Sequence, residues 1–163
     1  MEQHPKYYAF IDSQNLNLSV KNQGWSLDFK EFYRYLKDKH NVTKVFLFIG
    51  YIAGNQSLYT HLQEFGYILV FKPTLGLPDN NTKGNVDADL VLHAMIEKDN
   101  FDKAIIVSGD GDFHCLIEYL ESKEKLGRVI IPNRKAYSQL LGGFKKHMDY
   151  MNNLKDKLKI NSK

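Results

Sequence analysis

Hydrophobic residues fall along this chain in two alternating rhythms. Short runs, apolar at nearly every position, occur at Tyr7 to Ile11, Val42 to Tyr51, Tyr67 to Lys72, Lys103 to Val107 and Gly127 to Pro132. Unbroken apolar runs of this length read as strands buried on both faces. Between them, apolar positions recur every three or four residues, which is the helical period. That spacing predicts helices over Leu16 to Asn22, from Asp28 to His40, Ser57 to Phe65, Asn85 to Asp99, about Phe113 to Glu124, and Ala136 to Leu141. Asp28 followed by Glu31 is a capping-box start, with Phe29, Phe32, Tyr33 and Leu36 turned inward. Leu58, Leu62 and Phe65 share one face of the next helix, and Val86, Leu90, Val91 and Ala94 face the core from the one after. A short edge strand near Met148 to Met151 and a lysine-rich helix complete the pattern. Strands alternating with helices give an α/β fold with a mostly parallel sheet.

The ends of two strands carry the chemistry. Lys103 to Val107 runs into Ser108-Gly109-Asp110-Gly111-Asp112, and the first strand runs into Asp12, Ser13, Gln14 and Asn15. Right-handed crossovers bring all the carboxyl ends of the strands to one edge, where open α/β sheets bind ligands. Asp12, Asp110 and Asp112 therefore share an edge, and Asn15 can hold the turn or reach the same crevice. Asp12 and Asp112 can also act simply as helix caps. Asp87 and Asp89 arrive in the first turn of the helix that precedes the Lys103 strand, where carboxylates also suit the helix dipole. Two apart on a helix, they point in different directions. Asp87 is the one expected in the crevice, with Asp89 as the alternative.

Carboxylates that close repel, by roughly 4 kcal/mol at about 4 Å and an effective dielectric of about 20. Solvent, a proton or a cation must offset that. No cysteine pair and no histidine pair stands at ligand spacing. The donor set calls for a hard, oxygen-liking cation, Mg²⁺ or Mn²⁺, rather than zinc. The usual substrate of such a site is a phosphodiester or phosphate.

The 163 residues suit one domain, with 43% hydrophobic and 25% charged positions as in a soluble globular protein. No apolar run approaches a membrane span, and the start MEQHPKYY shows no secretory signal. One cysteine, Cys115, excludes an intrachain disulfide and fits a reducing cytoplasm; it is expected as a small core residue. The net charge is +3, unevenly spread. Lys145 to Lys163 holds six lysines against Asp149 and Asp156. Such an end suits a polyanion near bound cations, or simply a solubilising terminal helix. Pro73 to Asn85 is a long loop, of a length that is commonly functional.

The segments IDSQNL (Ile11 to Leu16), KGNVDADL (Lys83 to Leu90) and SGDGDF (Ser108 to Phe113) closely resemble, in order and spacing, the NYN domain of the PIN-like nuclease superfamily, in its LabA-like branch. The resemblance covers about residues 6 to 155, leaving a lysine-rich tail over 155 to 163. It implies a three-layer α/β/α sandwich with strand order 3-2-1-4-5. It also implies a Mg²⁺- or Mn²⁺-dependent ribonuclease that hydrolyses RNA by metal-activated water and leaves a 5′-phosphate. Asp12, Asp87, Asp110 and Asp112 match the family's metal-binding acids. Asn15 matches its conserved asparagine, and Ser108 the residue that opens the last motif. Asp89 matches a position that is not always acidic. Ser13 stands where the first motif often has glycine. PIN-like domains often dimerise, which leaves room for a homodimer.

Around the acids, Lys83, Arg134, Lys135 and the tail lysines are candidates to hold phosphates of RNA, expected to be single-stranded or looped. Tyr51, Trp25 and Phe113 can stack bases or pack in the core. His93 and His114 can move protons, although this chemistry needs no histidine. One rival reading is a catalytically weak RNA-binding or regulatory module, because fold does not fix activity. The intact acid set argues against it, since a module that only binds RNA gains nothing from concentrated negative charge. A phosphoaspartate phosphatase needs a second acid at position 14, which is glutamine, and no glycine-rich phosphate loop with lysine is present.

Overall fold

A computed structural model describes residues 4–72 and 85–161. Six strands form one sheet: β1 (Tyr7–Asp12), β2 (Val42–Gly50), β3 (Ile68–Lys72), β4 (Lys103–Val107), β5 (Leu126–Ile131) and β6 (Met148–Tyr150). Their order is β3-β2-β1-β4-β5-β6, and every adjacent pair is parallel. The expected order 3-2-1-4-5 is present, and β6 extends it at one edge. The sheet reverses direction of growth between β1 and β4. That reversal parts the connecting segments and opens a crevice at the carboxyl ends of those two strands.

Burial explains why the central strands lack alternation. Tyr8 and Phe10 of β1 enter one core while Ala9 and Ile11 enter the other. The first core is closed by α4 (Asn85–Ile96) and α5 (His114–Ser122), through Leu90, Ala94, Ile117 and Leu120. The second is closed by α1 (Ser13–Lys21), α2 (Phe29–His40), α3 (Gln56–Phe65) and the short α6 (Lys155–Leu158), through Leu16, Phe32, Leu62 and Leu158. The result is a three-layer α/β/α sandwich. Among the described residues, no helix is long and apolar enough to cross a membrane.

Several local expectations change. Helix α1 starts at Ser13, not Leu16, because Asp12 is itself the cap and accepts the Asn15 N–H at 3.2 Å. In α3 Tyr59 turns inward with Leu62, its hydroxyl accepting the Ile52 N–H, and Leu58 is exposed. The segment after Asp110 is a 3-10 turn over Gly111–Phe113 before α5 begins. Residues Gln139–His147 form 3-10 turns that run through Gly142 and Gly143, neither of which takes a positive φ. Cys115 is exposed, because α5 buries Leu116, Ile117 and Leu120 and so turns position 115 outward. The C-terminal segment is not a loose basic arm. Leu158 is fully buried, its carbonyl accepts the Asp28 N–H at 2.7 Å, and the Ile160 N–H reaches the Ser26 carbonyl at 2.9 Å.

Candidate metal centre

Three segments deliver three carboxylates to the crevice. Asp12 ends β1, Asp110 lies three residues beyond β4, and Asp87 is the third residue of α4. One oxygen from each lies within 4.8 Å of the others. Asp12 is 4% exposed, so its carboxylate has little water to spread its charge. Burial pushes the Asp12 carboxyl above its ordinary range and the Asp110 charge adds to this, whereas the Asn15 N–H and the Ser108 hydroxyl pull the other way. Asp87 is pushed up to about 7, first by burial, then by the charges of Asp110 and Asp12 and by its hydrogen bond with Asp112. Both shifts come first from burial and then from neighbouring negative charge, and both disfavour the bare carboxylate.

The framework that holds the acids is built from the residues between them. The Ser108 hydroxyl donates to Asp12 Oδ2 at 3.4 Å and accepts the Asp110 N–H at 3.1 Å. One buried side chain thus ties the β1 acid to the β4 acid. Asn15 Oδ1 accepts the Gly109 N–H at 2.9 Å, a second tie between the same two loops. Asp110 Oδ1 accepts the Asp112 N–H at 2.9 Å and caps the 3-10 turn, which fixes the direction of its other oxygen.

The candidates therefore separate. Asp12, Asp87 and Asp110 meet. Asp112 is exposed and outside the trio, but borders it through Asp87. Asp89 is half-buried and outside the trio as well. Asn15 and Ser108 touch backbone and carboxylate as framework. Arg134 and Lys135 are exposed just beyond β5, on the same sheet edge. Lys83 and the loop from Pro73 lie outside the described residues. Trp25 and Phe113 are core, whereas Tyr51 is 38% exposed. His93 meets Phe48 edge-on and His114 lies 3.7 Å from Glu118, so neither histidine joins the acids.

Sequence reasoning missed the clasp that closes over the motif. The Ser138 N–H donates to the Gly109 carbonyl at 3.0 Å, and Tyr137 packs so closely that a Cβ on Gly109 would stand 3.0 Å from its own. A Cβ on Gly111 would collide with the Ser138 hydroxyl. The alternating glycines of SGDGD are the trace of that close approach.

The donor set fits a hard divalent ion: carboxylate oxygens only, crowded, one almost fully buried, with no thiolate or imidazole among them. The trio can hold such an ion.

The comparisons agree with this architecture. LabA of Synechococcus elongatus, "Low amplitude and bright protein", is 21% identical to this chain over 150 residues, covering 86% of this chain and 81% of its own. A crystallised protein of unknown function from Vibrio parahaemolyticus has the same fold, with a TM-score of 0.75, 23% identity, and 97% and 99% of the two chains covered. The NYN domain model matches residues 6–142, a stretch that contains all three acids of the trio. The chain belongs to the NYN domain family, within the PIN-like nuclease superfamily.

Proposed function

We propose that this protein is a Mg²⁺- or Mn²⁺-dependent endoribonuclease acting on RNA phosphodiesters. The observation that carries the reading is the convergence of Asp12, Asp87 and Asp110, from three separate segments, to within 4.8 Å at the switch point of the sheet. These three would hold the ion, with Asp112 beside Asp87 as a fourth donor. A divalent ion bound there supplies a water acidified to near-neutral pKa and offsets negative charge on the phosphate in the transition state. The chain's own part is to keep the acids fixed before substrate arrives. Ser108 and Asn15 do so by joining the β1 and β4 loops. Arg134 and Lys135 are basic residues on the same edge that would draw in the phosphate backbone. The reading includes a reducing, cytoplasmic setting, supported by the lone thiol of Cys115.

The test is cleavage of an end-labelled, mixed-sequence single-stranded RNA in Mn²⁺, Mg²⁺ or EDTA, beside Asp110→Asn and Asp12→Asn. Cutting that needs the metal and vanishes in both variants is the expected result. RNA left intact by the parent chain under every condition would replace this reading with that of an RNA-binding or regulatory module without turnover.

A further inference from the structure

We propose that Arg134, lying over the Tyr150 ring with Tyr137 beside it, forms a platform for one unpaired nucleobase next to the acidic crevice. This deepens, and rests on, the reading of the crevice as a nucleic-acid site.

Arg134 is exposed, yet it is not a free surface cation. Its guanidinium lies over the Tyr150 ring, 5.2 Å from the centroid. The Tyr137 and Tyr150 rings are 6.1 Å apart. The backbone beneath is fixed as well. The Arg134 N–H donates to Asn152 Oδ1 at 2.8 Å, Asn152 Nδ2 donates to Gln23 Oε1 at 3.0 Å, and Gln23 Nε2 donates to the Pro132 carbonyl at 2.8 Å. A guanidinium already held over an aromatic ring loses little conformational freedom when a base is added beside it. Single-stranded sites stack bases on aromatic rings and guanidinium planes for this reason.

Position links the platform to the acids. Asp12, Asp110, Arg134 and Tyr150 lie at the carboxyl ends of β1, β4, β5 and β6, adjacent strands in that order. At about 4.8 Å per strand, β6 lies on the order of 10 Å from β4. Tyr137 closes the gap, because it packs directly on Gly109, the neighbour of Asp110. A strand with its phosphate at the acids therefore passes the platform with a neighbouring base. Only a base free of its duplex partner can turn to lie on it.

Binding is measured by fluorescence anisotropy in Mg²⁺, with every protein carrying Asp110→Asn so that the RNA stays whole. The probes are a single-stranded oligoribonucleotide and a blunt duplex of the same length. Arg134→Lys keeps the charge and removes the plane. It should weaken single-strand binding at least about fivefold, the low end for a base-stacking contact, and leave duplex binding almost unchanged. A 2-aminopurine in the single strand should be quenched by the protein that keeps Arg134 and not by the Arg134→Lys variant. Equal single-strand binding with and without Arg134→Lys, an equal loss for single strand and duplex, or no RNA binding at all would each overturn the platform. Cleavage by the chain with Asp110 intact is scored separately. If that chain cuts RNA while the Arg134→Lys contrast is absent, the nuclease stands and the platform falls; if the contrast is present without cutting, the platform stands and the nuclease reading falls.

Discussion

At the scale of single residues, the burial and mutual repulsion of the acids bear on stability. Asp87 has an unfolded-state value of about 4 and is pushed up to about 7 in the fold. Between those values the folded state holds a proton that the unfolded chain releases, so its contribution to stability falls as pH rises through that window. In EDTA, Asp87→Asn should therefore melt higher than the parent at pH 7.5, and the gap should shrink as the pH is lowered toward 4. Saturating Mg²⁺ or Mn²⁺ should raise the parent's Tm at pH 7.5 and leave that of Asp87→Asn unmoved; differential scanning fluorimetry reads both. Ser108 acts at one remove. Ser108→Ala leaves the Asp110 N–H without its acceptor and unties Asp12, at a cost of about 10–100-fold in metal affinity or activity, as for other groups that orient ligands. Isothermal titration with Mn²⁺ checks it, and affinity within twofold of the parent would rule out the role.

Elements made of continuous apolar runs were legible in sequence because both faces of a central strand are buried and the pattern has nothing else to report. The acids were legible for a related reason: a carboxylate at the end of such a strand has few places to point. Less legible was everything decided by a neighbour distant in sequence. Leu58 and Tyr59 compete for one inward position of α3, and Tyr59 takes it because its hydroxyl finds the Ile52 and Gly50 backbone. Gly142 and Gly143 look like a helix stop, but neither takes a positive φ, and the break falls instead at a kink at Phe144. The clasp of Tyr137 and Ser138 on the SGDGD loop was invisible, because no local rule links residue 138 to residue 109. It yields a prediction at this scale. Gly111→Ala places a methyl against Ser138 and Leu140, and should cost about 1–3 kcal/mol by overpacking, as chemical denaturation would measure. RNA cleavage should fall with it, since the same turn is capped by Asp110.

Across the whole molecule, the C-terminal segment behaves as a strap. Arg128 of β5 holds Asp149 of β6 through two hydrogen bonds of 2.9 and 2.7 Å, and His40 at the end of α2 lies 3.9 Å from the same carboxylate. Burial lowers the His40 pKa, although the Asp149 charge opposes this. Leu158 then seats fully in the core under α2, and Lys157 lies over the Tyr35 ring. Leu158→Ala should cost about 2–5 kcal/mol. For a chain of 163 residues, at about 2–4 °C per kcal/mol, that is a fall in Tm of roughly 4–20 °C. A smaller loss would mean that the strap is peripheral to the fold.

The placing of β4 between β1 and β5 has a consequence in time. Ser108 and Asp12, which must meet for the acids to be set, stand 96 positions apart. During synthesis Asp12 waits for 96 further residues before Ser108 can reach it. Until then Asp12 stands without the complete trio of acids, and no centre is assembled that could hold an ion. On the function proposed above, cleavage would be deferred until Asp110 has been made, by the order of the strands alone.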